Sequence, residues 1–532
     1  MPKTNTSQKS FKPSLLALAL LAPLGLVGLT GCGDDDSNTF NDFDGTPSVD
    51  AQTYSDAKLL QEPTVTKTFS RAELAEAIDA AGLTNAVPDP VCGVTVQYID
   101  HSTTGLKGET TNATGAVMTP ISDGATNEDC AGERPVMLYA HGTTVAKNYN
   151  LAALNDANNP AYGTALLVAA TFTGQGDIVI APNFPGYDTS ELDYVPYITK
   201  QQGTQMLDGL QAGLNTIAKD SDVQASDKLF VTGYSQGGYV AMATAQALDE
   251  IGKPATAVSP AAGPYAVAAF ADSIMSGKGI IGGTGFLPLM TGSYDVEYDN
   301  ISEGAYNPKY GNPSTLFPTD KGLNDILGND IPTLALFEVN PDPVAYPDLQ
   351  NISPPTPMDA LYFAEEDYLF NTAFRADYVS DMLANPDGIY PEFNASNPNV
   401  ATSNFKVRQV FIDNDLRDYE PKSPMLLCGG HGDPTVTFDV NTYAQARIWQ
   451  DKGIPFALVD LDTNNSTERM NNGYQNYIST LPTDITLQIE SSLMAEQTAF
   501  SEVSDSLGFL NYHGGAMPYC LRAADVFFEA YR

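Results

Sequence analysis

Histidine is scarce in this chain: His101, His141, His431 and His513 are the only four among 532 residues. That leaves little material for a histidine-rich metal centre and few side chains able to act as a base near neutral pH. Cations are scarce as well, with 26 Lys and Arg against 65 Asp and Glu, a net charge of −39. Phosphate backbones are held by Lys and Arg, so nucleic acid is excluded as a partner. The acidic excess favours solubility, and salt screens its self-repulsion. It suits a saline or cold exterior as well as it reflects a general compositional bias. The five cysteines contain no C-x-x-C pair, so no zinc site of ordinary spacing is expected, and no metal or cofactor is called for. The sequence fixes no oligomeric state.

The N-terminus reads as a targeting segment. Lys3, Lys9 and Lys12 precede an apolar run from Leu15 to Leu29, fifteen residues that are too few to span a bilayer comfortably. The run ends in Leu29-Thr30-Gly31-Cys32, which resembles the lipobox of bacterial lipoproteins. That resemblance implies cleavage after residue 31, lipidation of Cys32 and a lipid-anchored place in the bacterial envelope, the outer membrane being favoured. A plain secretory signal is the other reading. Residues 32–60, opening on Gly33-Asp34-Asp35-Asp36, are expected to form a disordered tether. Export permits disulfides. Cys92, Cys130, Cys428 and Cys520 allow three pairings. Proximity in sequence and the expected fold favour Cys92 with Cys130 and Cys428 with Cys520.

Beyond the tether, Ser70-Arg71-Ala72-Glu73 forms a capping box that opens a short helix closed by Gly82. Segments 91–100 and 108–118 read as paired strands at a sheet edge. From Pro135 strands and helices alternate. Strands are expected at 136–140, 177–181, 228–232 and 254–259, and helices at 159–172, 197–218 and 238–248. This rhythm predicts an α/β fold, a mostly parallel sheet with helices on both faces. It breaks over residues 263–421, which are rich in Pro, Asn, Tyr and Asp, with a helix expected within 357–384. It resumes with a strand at 424–428, a helix at 440–452, a strand at 455–461 and a last helix at 519–531. The expected organisation is therefore a core made of 61–262 and 422–532, interrupted by a large helical cap insertion at 263–421; insertions of that length in compact domains are functional or disordered.

Gly233-Tyr234-Ser235-Gln236-Gly237 lies between the strand at 228–232 and the helix at 238–248. G-x-S-x-G in that setting is a nucleophile elbow, with the serine hydroxyl exposed above the sheet. The same residues also suit a plain Gly-rich turn. A serine needs a base to become a nucleophile. His513 stands near the C-terminus, where the order Ser, acid, His requires the base. Asp433, in Gly430-His431-Gly432-Asp433-Pro434-Thr435-Val436 after the strand at 424–428, is the expected acid. Asp439, Asp460 and Asp462 are its rivals. Ala140-His141-Gly142-Thr143 ends another strand; Thr143, or Gly142 in its place, and Gln236 are the expected backbone donors of an oxyanion hole. His101, His141 and His431 are read as structural. Asp460-Leu461-Asp462-Thr463-Asn464 lacks the glycine and spaced glutamate of an EF-hand, so calcium is not expected there.

With these residues in place the chain resembles the α/β-hydrolase superfamily, and within it the secretory lipase group related to lipase A of Candida. The likeness rests on Ala140-His141-Gly142-Thr143, on Gly233-Tyr234-Ser235-Gln236-Gly237-Gly238 and on the long insertion before Asp433. It implies ester hydrolysis through an acyl-enzyme, an ester or lipid substrate, and a cap that shapes the acyl pocket. Asn183, in Pro182-Asn183-Phe184-Pro185-Gly186, stands where many relatives have Asp. Two other readings use the same residues: a serine peptidase or amidase on this fold, and a binding protein on an inactive hydrolase scaffold.

Overall fold

The computed structural model describes residues 53–462 and 483–532, apart from 124–127, 221, 351, 353–355, 357 and 395. The expected leader, Cys32 and most of the tether lie outside the described residues, as do Thr463 and Asn464.

Nine strands form one sheet among the described residues: β1 (Thr64–Phe69), β2 (Gly93–Thr104), β3 (Thr110–Ile121), β4 (Gly132–Ala140), β5 (Ile178–Pro182), β6 (Val223–Tyr234), β7 (Ala257–Ala261), β8 (Leu426–Gly429) and β9 (Ala457–Asp460). Their order is β1-β2-β3-β5-β4-β6-β7-β8-β9. β1, β2, β3 and β5 pair antiparallel, and every pair from β5 to β9 is parallel. β5 and β7 are buried along their whole length, as parallel strands covered by helices on both faces must be.

The covering helices of the core are α1 (Arg71–Ala80), α2 (Tyr162–Thr171), α3 (Gln201–Ile217) and α4 (Gln236–Glu250). The insertion carries α5 (Val267–Met275), α6 (Gly283–Tyr298), α7 (Thr372–Ala384) and α8 (Lys406–Asp413). α9 (Thr442–Asp451) and α10 (Thr483–Glu529) complete the C-terminal part.

Three sequence expectations are corrected. The strand pair at 91–100 and 108–118 exists as β2 and β3, but it does not form the edge: β1 pairs outside β2, from Thr64 opposite Tyr98 to Phe69 opposite Val94. Its polar sequence, Thr-Val-Thr-Lys-Thr-Phe, is that of a solvent-facing edge strand and gives little apolar signal. The tether, expected to reach residue 60, joins the fold earlier. Leu59 is buried and bridges to His101, and the Lys58 carbonyl accepts from Ser102 N–H at 2.9 Å. The helix expected in 519–531 begins far upstream as α10, broken at Gly508 with φ 64° and ψ 171°. His513, expected in a loop, therefore lies one turn past that break on a helix. The insertion is helical as expected, and α5 and α6 add to the piece expected within 357–384. Pro288 inside α6 and the glycines before it masked its helical pattern.

The insertion is tied together by buried charge. Arg408 Nε and Nη2 fork onto Asp272 at 2.9 and 2.7 Å, and Nη1 reaches Asp381 at 3.1 Å. Arg417 forks onto Asp415 at 2.8 and 2.7 Å and reaches Asp387 at 2.6 Å. Such planar forks fix geometry as well as charge. Tyr239 of α4 donates to the Asn414 carbonyl at 2.8 Å, which seats the insertion on the core.

Candidate active site

Ser235 occupies the sharp turn between β6 and α4, with φ 62° and ψ −123°. A non-glycine residue is held there only when its surroundings insist on it. Ser235 N–H donates to the Ala261 carbonyl at 3.0 Å, and the Ser235 carbonyl accepts from Gly238 N–H at 2.9 Å. The flanking glycines are required by close backbone approach. A Cβ at Gly233 would lie 2.3 Å from the Gly237 carbonyl oxygen, and one at Gly237 would lie 2.0 Å from that of Ala140.

Asp433 follows β8 in a tight turn. Its Oδ1 accepts from Thr435 and Val436 N–H at 2.8 and 3.1 Å, and its Oδ2 is 2.6 Å from His513 Nδ1. The carboxylate side chain is 1% exposed. A carboxylate only accepts, so this contact places the imidazole proton on Nδ1 and leaves a lone pair on Nε2. His513 Nε2 is buried without a hydrogen-bond partner among the described residues. The Cys428–Cys520 disulfide ties β8 to α10, and the Cys92–Cys130 disulfide forms as the sequence led us to expect.

The rival acids have other partners. Asp439 is exposed, 3.6 Å from the exposed His431. Asp460 Oδ1 accepts from Asp462 and His431 N–H at 3.0 and 3.2 Å. Asp462 Oδ2 accepts from Gly432 N–H at 2.6 Å. Burial pushes the Asp460 carboxyl up to about 6; the Asp462 charge adds to this, and its N–H bonds and His431 oppose it. No group of metal-ligating side chains occurs among the described residues.

His141 is buried in an aromatic nest, stacked on Phe184 at 4.1 Å and close to Tyr149 at 4.7 Å. Its Nδ1–H donates to the Gly142 carbonyl at 2.7 Å. Burial pushes its pKa down to about 4, against the hydrogen bonds to Gly142 and Asn183, so it stays neutral and shapes the loop. That loop runs against the elbow: a Cβ on Gly142 would sit 3.8 Å from Ser235 Cβ. Thr143 Oγ1 is 3.0 Å from Tyr197 Oη. Gln236 opens α4, where the first N–H groups of a helix lack intrahelical partners. His101 is buried with its pKa pushed down to about 4 by burial, far from any base role. Asn183 uses both ends of its amide, accepting from Leu151 N–H at 2.9 Å and donating to Thr114 Oγ1 at 2.8 Å. The same amide nitrogen reaches the Asn150 amide oxygen at 3.4 Å, an acceptor that a carboxylate at this position would leave without a donor.

Thr143, Ser235 and Gln236 open onto one cavity with about 870 Å³ of empty space, its open mouth included. Its far walls come from the insertion: Phe270 and Ile274 of α5, Met290 of α6, Phe374 of α7 and Phe411 of α8. Among the described residues no charged side chain lines it. The sequence reading named none of these wall residues; the apolar run of α5 was the signal available for them.

A model of the prolyl oligopeptidase family matches residues 164–274, from α2 to α5. No curated protein matches. Among solved structures, the rice cell wall degrading esterase LipA from Xanthomonas oryzae superposes with a TM-score of 0.56 at 21% identity, covering 84% of this chain and 97% of that one. A protein from Legionella pneumophila gives 0.50 at 18% identity, covering 83% and 97%. Lipase A of Candida antarctica in its closed state gives 0.45 at 12% identity, covering 85% and 93%, too distant to bear on function. The shared architecture, the elbow between β6 and α4 and the mostly parallel sheet agree on one conclusion: this chain has the α/β-hydrolase fold.

Proposed function

We propose that the chain is a serine hydrolase that cleaves carboxylic esters through an acyl-enzyme. The observation that carries the reading is the Tyr234–His513 hydrogen bond of 2.7 Å, which ties the elbow of the cavity-lining Ser235 to the residue that holds Asp433 at 2.6 Å and whose Nε2 has no hydrogen-bond partner among the described residues. In this reading Ser235 Oγ attacks the ester carbonyl and passes its proton to His513 Nε2, while Asp433 stabilises the imidazolium. Backbone N–H of Gln236 and of Thr143, or of Gly142, hold the oxyanion. Collapse of the intermediate expels the alcohol, which takes the proton from His513. Water then repeats the sequence on the acyl-enzyme and releases the acid. No step needs a metal or cofactor.

An uncharged cavity favours an apolar acyl group over a charged side chain. The likeness to an esterase of Xanthomonas oryzae points the same way. The prolyl oligopeptidase match favours amide cleavage as the second reading. Replacing Ser235 with Ala is expected to abolish turnover of p-nitrophenyl esters and labelling by a fluorophosphonate probe. Turnover retained by that variant, or cleavage of amides without esters, overturns the ester reading, and an intact scaffold that never labels favours the binding protein.

We further propose export and lipid anchoring at Cys32. Two disulfides support an oxidising compartment. Mass spectrometry of the membrane-extracted protein is expected to find an acylated N-terminal Cys32; a free thiol there would remove the anchor.

A further inference from the structure

The turn that carries His513 begins directly after the break at Gly508, and its first residues have little packing: Phe509 is 38% and Leu510 67% exposed. An acid–base bond of 2.6 Å nevertheless requires the imidazole to stay put. Two phenols tie its turn to neighbouring elements. Tyr234, the second residue of the elbow and buried, donates from Oη to the His513 carbonyl at 2.7 Å, with its ring 5.0 Å from the imidazole. Tyr512, one residue before the histidine, donates from Oη to Asp462 Oδ2 at 2.5 Å. That same oxygen accepts the Gly432 N–H, one residue before Asp433. The fit is close: a Cβ on Gly430 would fall 2.0 Å from Tyr512 Oη. Burial holds both phenols well above their ordinary pKa, reinforced by Asp433 for Tyr234 and by Asp462 for Tyr512, so both remain donors wherever the protein is folded.

We propose that Tyr234 and Asp462 are positioning residues for His513, forming a two-sided clamp that registers the base against both the nucleophile and the acid. Tyr234 joins the base turn to the elbow. Asp462, two residues past β9, joins the same turn to the acid loop through Tyr512 and Gly432. Neither touches the reacting atoms. The inference rests on the reading of His513 as the base.

The test uses the full chain with Tyr234→Phe, Asp462→Asn and Tyr512→Phe. Tyr234→Phe and Tyr512→Phe each remove one bond, Asp462→Asn disturbs the two that Tyr512 and Gly432 make to one oxygen, and all three keep the side chain's shape. Misplacing a catalytic group by a fraction of its working distance costs rate, so kcat on a soluble ester is expected to fall roughly tenfold to a hundredfold, with KM held within about twofold. The acidic limb of the pH–rate profile is expected to move to lower pH, because an imidazole less well seated on Asp433 is less readily protonated. Tyr512→Phe combined with Asp462→Asn should be no worse than Asp462→Asn alone, whereas Tyr234→Phe with Asp462→Asn should be worse than both. The low-field Nδ1–H resonance of His513 gives a readout that needs no substrate, and it should weaken or shift upfield in each variant. Folded variants with unchanged kcat, acidic limb and resonance overturn the clamp. If Tyr234→Phe does not fold, Asp462→Asn and Tyr512→Phe decide by the same criteria. Fluorophosphonate labelling of the wild-type chain at Ser235 separates the two ideas: absent labelling sinks the hydrolase reading, while an unmoved resonance sinks the clamp alone.

Discussion

The floor and the roof of the cavity are built by different means. The floor is directional. Ser235 lines the cavity at the end of β6, and Asp433 and His513 beside it, in the loop after β8 and on a helix turn, are bonded to each other and, through the His513 carbonyl, to Tyr234 of the elbow. The elbow tolerates no extra atom at Gly233 or Gly237. The roof is shaped. α5, α6, α7 and α8 turn mostly apolar side chains to the cavity, and Thr291 of α6, which also lines it, spends its hydroxyl on Tyr306 and the Pro288 carbonyl. Its rigidity comes from behind, where Arg408 and Arg417 are buried among four aspartates. Chemistry needs atoms at set distances, whereas an apolar wall needs only volume and a frame. A change to the floor should therefore remove rate, and a change behind the roof should remove stability and binding.

The sharpest separation comes from Asp433→Asn. An amide nitrogen cannot accept from Nδ1–H, so the imidazole loses its tautomer and its charge partner, and in this type of site kcat falls by about 10⁴. KM and unfolding in urea should hardly move. Retention of more than about a tenth of kcat would show that another carboxylate serves as the acid, since loss of a triad member costs far more. The reverse pattern is expected for Arg408→Met. It strips the cation from Asp272 and Asp381 and leaves Asp272 as a buried charge. Breaking a buried pair from one side costs about 3–5 kcal/mol. Urea unfolding should report that loss, with KM for long-chain esters raised more than kcat is lowered. An Arg408→Met protein as stable as wild type would mean that packing, and not charge, frames the roof.

This division also explains what was legible in the sequence. The floor residues sit in patterns dictated by backbone geometry, so Gly233-Tyr234-Ser235-Gln236-Gly237 and the Gly430–Val436 turn announce themselves. Scarcity helped, since only His513 lay in the right part of the chain. The parallel strands were readable because both faces are buried and their runs are continuously apolar. β1 was not, because half its side chains face water. The roof was illegible for a different reason. A cavity wall has no fixed spacing, and Arg408 and Asp272 lie 136 residues apart in the chain, so no local pattern records their pairing. The position of His513 on a helix was hidden by Gly514-Gly515 and Pro518, which read as a turn.

A smaller effect tests how the floor is supported from below. Asp460, buried at the end of β9, holds the N–H groups of His431 and Asp462 and faces the Asp462 carboxylate and the His431 imidazole. Its pKa is raised to about 6, chiefly by burial. The folded chain thus holds this proton more tightly than the unfolded chain, whose aspartates titrate near 4. The stabilisation from this group is complete below about pH 4 and is lost as pH rises through about 6, amounting to at most about 3 kcal/mol. His141 runs the other way: its lowered pKa gives stability that is present above about pH 6.5 and lost as pH falls through about 4. Asp460→Asn removes only the first of these. Its thermal midpoint, measured against wild type, should therefore rise relative to wild type between pH 4 and pH 8, while its kcat at pH 8 stays closer to wild type than that of Asp433→Asn. A midpoint difference that is flat with pH would show that Asp460 is ionised throughout and that the N–H groups it receives outweigh its burial.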